Sequence, residues 1–189
     1  MSLDPHPWAE QLDSLLAHAW QRLTRGVHDR HAPARHPTLA TVSAEGWPQA
    51  RTVVLRAASR SDGVLEIHTH AHSPKIADLS ARPVAALHVW DPGSHLQIRI
   101  QADVEIAQGD LVASRWSAVP ERSRAAYSRG PVPGQSISEA LAYETDPDPA
   151  AFAVLQLQVR TMDLLHLGPH HRRAQFSRDN AWAGCWLVP

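Results

Sequence analysis

Cysteine is almost absent from this chain of 189 residues: Cys185 stands alone, which excludes an internal disulfide and any cysteine-rich metal site. Lysine is equally scarce, Lys75 being the only one, so the positive charge is otherwise arginine. The formal net charge is −1, and the chain lacks the overall basic field that draws proteins to nucleic acid. No apolar run approaches the length a bilayer requires, and Met1-Ser2-Leu3-Asp4-Pro5 lacks the basic-then-apolar pattern of a secretory leader. A cytoplasmic protein with neither membrane nor nucleic-acid partner is the expectation. The hydrophobic fraction of 43% and charged fraction of 20% are those of an ordinary globular domain, and the length suits one core spanning residues 1–189.

The patterning changes once along the chain. Trp8, Leu12, Leu15, Leu16, Ala19, Trp20 and Leu23 recur at three- and four-residue intervals, predicting a helix over about 6–26 with Gly26 at its end. After the proline-containing link 32–37 the period becomes that of strands. Residues 38–43, 49–57, 64–70, 84–90, 96–107, 152–160, 164–167, 172–177 and 182–187 read as strands, separated by glycine, proline and Asp/Asn turns. Ser73-Pro74 predicts a helix start, with Ser73 as N-cap and Lys75 in the first turn. Helical stretches are expected at 110–117, 120–128 and 138–144, and a loop at 129–138, where Gly130-Pro131-Val132-Pro133-Gly134 resists regular structure. Many short strands with interposed helices indicate an all-β barrel with helical decoration.

Four pieces could carry chemistry. Arg51-Thr52-Val53-Val54-Leu55-Arg56 is an apolar strand with a cation at each end; on a regular strand the five-residue separation places the two on opposite faces. His68-Thr69 followed by Ser73-Pro74-Lys75 assembles hydroxyls, free helix N–H groups and an ammonium, the groups a dianionic phosphate needs. Gln97 and, in the loop, Gln135 offer amides that both donate and accept, and Ser136 adds a hydroxyl, groups able to read the polar edge of a ring. The alternating His68, His70 and His72 could face a zinc ion, but alternation alone supplies too few ligands.

Taken in order, these pieces resemble the pyridoxamine 5′-phosphate oxidase family and its FMN-binding relatives over about 37–189. Residues 51–56 look like the family's Arg-x-Val-Leu-Leu-Lys flavin strand, His68-Thr69 its Tyr-Thr, Ser73-Pro74-Lys75 its Ser-Arg-Lys, and Gln135-Ser136 its Gln-Ser. Gln97 falls at the family's Arg-Gln-Val glutamine. The resemblance implies a mainly β fold, a six-stranded antiparallel FMN-binding split barrel of Greek-key type, paired as a homodimer. It also implies that Arg51, Thr69, Ser73 and Lys75 hold the FMN phosphate and that Val53, Val54 and Gln97 flank the ring. Gln135 and Ser136 would reach the partner's site. The substrate motif Tyr-Phe-His-Ser-Arg-Pro, however, reads Arg115-Trp116-Ser117-Ala118-Val119-Pro120, with valine where the arginine belongs. The C-terminal Arg-x-His-x-Arg has no clean counterpart near Arg172 and Arg173. An FMN-dependent oxidoreductase with a degraded B6-phosphate motif is therefore expected, with Arg56 and Arg99 as candidate cations near the ring; a non-catalytic flavin carrier is the alternative.

Overall fold

The computed structural model describes residues 5–189. A 3-10 turn at Pro7–Glu10 leads into helix α1, Leu12–His28. Gly26 lies inside α1 and does not end it. A Cβ there would sit 2.5 Å from the Ala34 carbonyl carbon, so glycine serves the close approach of the following 3-10 turn, Pro33–Arg35.

Nine strands follow: β1 Thr38–Val42, β2 Pro48–Thr52, β3 Leu55–Ser59, β4 Val64–His70, β5 Val84–Asp91, β6 Leu96–Gln108, β7 Phe152–His166, β8 Arg172–Ser177 and β9 Gly184–Leu187. Helix α2, Pro74–Ala81, lies between β4 and β5; the short α3, Ala113–Ala118, and α4, Glu121–Arg124, lie between β6 and β7. All the strands join one antiparallel sheet in the order β2-β1-β5-β6-β7-β4-β3, with β8 on β7 and β9 on β8. The expected six-stranded barrel is thereby corrected. The fold is a mixed one of helices and a nine-stranded sheet, and the edge strands β2 and β3 do not pair, so the sheet is not closed into a barrel.

The cause is local. Residues 49–57, expected as one strand, break at Val53-Val54, where the Val53 N–H donates to the Pro37 carbonyl. That bond ends the β2 ladder, and the chain restarts at Leu55 against β4. The 15-residue β7, in turn, replaces two expected strands because Thr161, Met162 and Asp163 stay paired to β6 on one side and β8 on the other. Its first half pairs with β4 and its second half with β8, while β6 follows both. Arg160 is the extra residue where the register slips, a β-bulge at the fork.

The main core joins α1 to the sheet's inner face through Leu15, Leu16, Ala19, Trp20 and Leu23 against Leu39, Leu55, Ile67, Leu87, Ile98 and Leu155. Each such side chain contributes about 1.5–3 kcal/mol by burial. A smaller cluster of Val112, Val119, Tyr127, Phe152 and Val154, with Trp116 beside it, packs α3 and its neighbours onto β7. The helix expected at 138–144 does not form. Leu141 and Tyr143 are exposed, and so short a segment with no face to bury cannot meet the cost of helix nucleation. The stretches expected to be helical at 110–117 and 120–128 shorten to a 3-10 turn, α3 and the single turn of α4. Among the described residues no helix is long and apolar enough to cross a membrane.

Candidate functional site

The Val53-Val54 break and the end of β4 meet at one cavity of about 320 Å³. Arg51, Thr52, Val53, Val54, Arg56, His68, Thr69, Ser73 and Lys75 all line it, joined by His70, Ala126, Tyr127 and Pro133. The expectation that Arg51 and Arg56 occupy opposite faces is overturned. The strand is broken between them, and Arg56 is the unpaired residue of a bulge between Leu55 and Ala57, which re-aims its side chain.

At one end of the cavity the hydroxyls of Thr69 and Ser73 lie 3.2 Å apart, and the Lys75 ammonium donates to both, at 2.9 and 3.0 Å. Ser73 occupies the N-cap position of α2, yet its hydroxyl does not cap the helix; it is held in this triad. Burial holds the Lys75 ammonium below the usual lysine value of 10.5, the Arg51 charge adds to that, and Asp78 opposes it. Arg51 is fixed from behind: it donates to Thr41 Oγ1 at 2.6 Å and lies 3.5 Å from Asp78, to which the Thr41 hydroxyl donates at 2.7 Å. Asp78 and Thr41 are buried, so this brace sets the guanidinium's place without filling the cavity.

At the other side Arg56 and Tyr127 line the cavity together. Burial raises the Tyr127 pKa above 10.0 and Arg56 opposes the rise. His68 lies 2.9 Å from Glu66, whose other oxygen meets Arg115 at 3.4 Å. The His68 bond, more than any other influence, keeps the Glu66 carboxyl below the usual 4.5. His70 is occupied through both nitrogens: Nδ1 accepts from the His72 N–H at 3.1 Å, so Nε2 carries the proton donated to the Ser128 carbonyl at 3.0 Å. Among the described residues no group of three or more His, Cys, Asp or Glu side chains is placed to hold a metal ion.

The remaining sequence-selected residues lie elsewhere. Leu55 is fully buried in the core. Gln97 is on the outward face of β6, 3.4 Å from His88, beside Arg99, which pairs with an Asp163 also held by Arg173. Gln135 lines a second cavity of about 490 Å³ beneath the 128–145 loop, and the two cavities share His70, Ala126 and Pro133. Ser136 is exposed. Sequence reading missed Tyr127, Thr41, Asp78 and Glu66. The buried aspartate inside an apolar helix face, Ile76 to Leu79, was the one signal that could have found the Arg51 brace.

An antiparallel-sheet protein that gathers two hydroxyls, a half-buried ammonium and two arginines around one cavity carries the groups that a phosphorylated small molecule needs. Comparison with known proteins identifies the family. Residues 6–108 match the model for the pyridoxamine 5′-phosphate oxidase FMN-binding domain, and the chain belongs to that family. It is 30% identical to the pyridoxine/pyridoxamine 5′-phosphate oxidase of Acinetobacter baumannii over 187 residues, covering 98% of this chain and 72% of the relative. The corresponding oxidase of Chromohalobacter salexigens is 37% identical over 87 residues, 46% of this chain and 40% of that one. The match thus spans about two fifths of the latter's length. Among solved structures, a pyridoxamine 5′-phosphate oxidase-related FMN-binding protein from Nostoc punctiforme superposes with a TM-score of 0.75 at 26% identity over the full length of both chains. The PhzG protein of Burkholderia lata, at 0.70 and 19% identity over 100% of this chain and 98% of its own, shares the fold.

Proposed function

We propose that the chain is an FMN-dependent oxidoreductase that works as a homodimer and acts on a small molecule other than a B6 phosphate. The observation that carries the cofactor reading is Lys75. Its ammonium is half-buried and bonded only to hydroxyls, and among the described residues no carboxylate pairs with it. A desolvated cation so placed suits an anion, and the two hydroxyls can turn to donate to phosphate oxygens. The residues present therefore fit the FMN phosphate: Thr69, Ser73 and Lys75 would hold it, with Arg51 fixed alongside by Asp78 and Thr41. Val53 and Val54 supply an apolar edge for the ring, and the Arg56–Tyr127 pair is a polar group farther along the wall.

Bound FMN supplies two-electron oxidation and reduction; the protein supplies position and field. Arg56 adds positive charge that no carboxylate among the described residues pairs with, which favours a reduced, anionic ring system. His68, oriented by Glu66, can take up or release a proton at the cavity wall.

Two observations argue against B6-phosphate turnover. Val119, at the position of the family's substrate arginine, is buried in the cluster with Tyr127 and Phe152. Arg115 is held by Glu66. Neither is free to receive a substrate phosphate, which also favours the second reading, a flavin carrier. The dimer is supported by the placement of Gln97: it sits on the outward sheet face with His88, away from the cavity its own chain forms, and a second copy could present it there.

The test is an absorption spectrum after loading FMN and removing excess, then anaerobic addition of pyridoxine 5′-phosphate. Retained flavin that stays oxidised supports this reading; bleaching would show that B6-phosphate oxidation survives, and no retained flavin would refute the proposal. A monomeric mass with flavin bound would refute the dimer.

A further inference from the structure

We propose that the substrate is a small carboxylic acid, its carboxylate received by Arg56 and the Tyr127 hydroxyl. This rests on the flavin reading of the same cavity and names the class of molecule on which the flavin acts.

Arg56 carries an uncompensated charge. As the bulge residue between Leu55 and Ala57 it lines the cavity, and among the described residues no carboxylate pairs with it. Arg35 adds to that charge from behind: its guanidinium donates to the Val27 carbonyl at 2.8 Å and, at 3.3 Å, to the carbonyl of Leu55, the residue before Arg56. Among the described residues Arg35 has no carboxylate partner either. Burial first, and then the Arg56 charge, holds Arg35 below the usual arginine pKa, so the two guanidinium groups are close enough to repel. Two like charges held together in a partly desolvated place create a repulsion that an anion relieves. Arg51, across the cavity, differs in this respect, because Asp78 lies 3.5 Å from it.

The available donors favour a carboxylate over a phosphate. The Tyr127 ring is buried and packs edge-on against Phe152 at 4.9 Å. Burial raises its pKa, so the hydroxyl keeps its proton, and Arg56 is near enough to oppose that rise. A protonated phenol can donate to an anion, and a guanidinium presents a planar fork to the two oxygens of a carboxylate. A phosphate dianion needs more positive charge than this. The position of the family motif's arginine is taken by Val119, buried with Tyr127 and Phe152. Glu66 is matched by His68 and Arg115 rather than by Arg56, and Arg115 is thereby engaged. One guanidinium and one hydroxyl suit a monoanion. Val53 and Val54 line the same cavity, which on the flavin reading brings that monoanion near the ring.

Isothermal titration calorimetry on the FMN-loaded chain tests this with three probes built on one ring, benzoate, benzamide and phenyl phosphate, once an absorption spectrum has shown that flavin is retained. Benzoate is expected to bind at least about tenfold more tightly than neutral benzamide, the size of a charge-assisted pair, and no less tightly than phenyl phosphate. Arg56→Gln should weaken benzoate by about tenfold or more and erase its advantage over benzamide. Tyr127→Phe should weaken benzoate about three- to tenfold, the size of one hydrogen bond. Both variants are titrated with FMN in excess, and circular dichroism confirms their fold. Equal affinity for benzoate and benzamide would overturn the proposal and leave the flavin reading standing. So would tighter binding of phenyl phosphate than of benzoate, or benzoate affinity that ignores Arg56→Gln. Failure to retain flavin would overturn the flavin reading and this proposal with it.

Discussion

The two walls that meet at Ala126 and Pro133 are built in opposite ways. The strand-and-helix wall, residues 51–75, is cross-braced: Arg51, Thr41 and Asp78 form one hydrogen-bonded unit and Thr69, Ser73 and Lys75 another, both resting on a buried core. The loop wall, residues 128–145, is exposed and carries little regular structure. It is tied at its base by the Tyr127 carbonyl to the Asp148 N–H, the Arg129 N–H to the Asp146 carbonyl, and the Arg129–Asp148 ion pair. A rigid frame suits the invariant part of a ligand, its phosphate; an adaptable loop suits the part that differs between ligands. On the proposed reading, the first wall would hold the cofactor and the second would select around it.

The largest expected effect tests whether the frame depends on its core. Phe152→Ala removes the ring that packs edge-on against both His68 and Tyr127, and should cost about 3–5 kcal/mol in a denaturant titration. Lys75→Ala comes next: loss of charge-assisted bonds worth about 1.5–3 kcal/mol should weaken FMN by roughly ten- to a hundredfold, read by flavin fluorescence, while riboflavin binding stays unchanged.

The pH dependence of the same residue sharpens the comparison because stability and affinity should move in opposite directions. The folded Lys75 pKa lies below 10.5, so across that window the unfolded chain binds more protons. The free protein's Lys75-linked stability then rises with pH through the window. FMN binding needs the ammonium, so affinity should fall over the same alkaline window. Lys75→Ala should abolish both trends in parallel thermal and binding titrations. On the acid side the folded Glu66 pKa lies below 4.5. Its stabilisation is fully present above 4.5 and lost as pH falls through the folded value; Glu66→Gln should flatten that part of the acid-unfolding profile. The smallest effect belongs to the loop: Leu141→Ser, at a residue 82% exposed, should change stability by no more than about 0.5 kcal/mol.

The legibility of the sequence follows the same division. The cradle could be read because Thr69, Ser73 and Lys75 are close along the chain, and a strand end followed by Ser-Pro-Lys brings them together by local geometry. The Arg51 brace could not, since Thr41 and Asp78 come from β1 and α2 and meet only through the sheet order. The openness of the sheet also escaped sequence reading. Apolar, β-branched 52–54 reads as continuous strand by propensity, and the break depends on one tertiary bond, Val53 N–H to Pro37. Likewise the Arg56 bulge is a register event between two strands, which periodicity along one strand does not encode. In the 138–144 segment a good cap residue and helix-forming composition misled, because no apolar surface was within reach to stabilise the turn.

The central claim is that the Thr69–Ser73–Lys75 cradle receives the flavin phosphate. Its most direct test is the ratio of riboflavin to FMN dissociation constants, measured for the intact chain and for Lys75→Ala. The account predicts that the intact chain binds FMN at least about tenfold more tightly than riboflavin, as charge-assisted phosphate bonds require, and that the ratio collapses toward one in the variant. Equal affinity for riboflavin and FMN in the intact chain would contradict it.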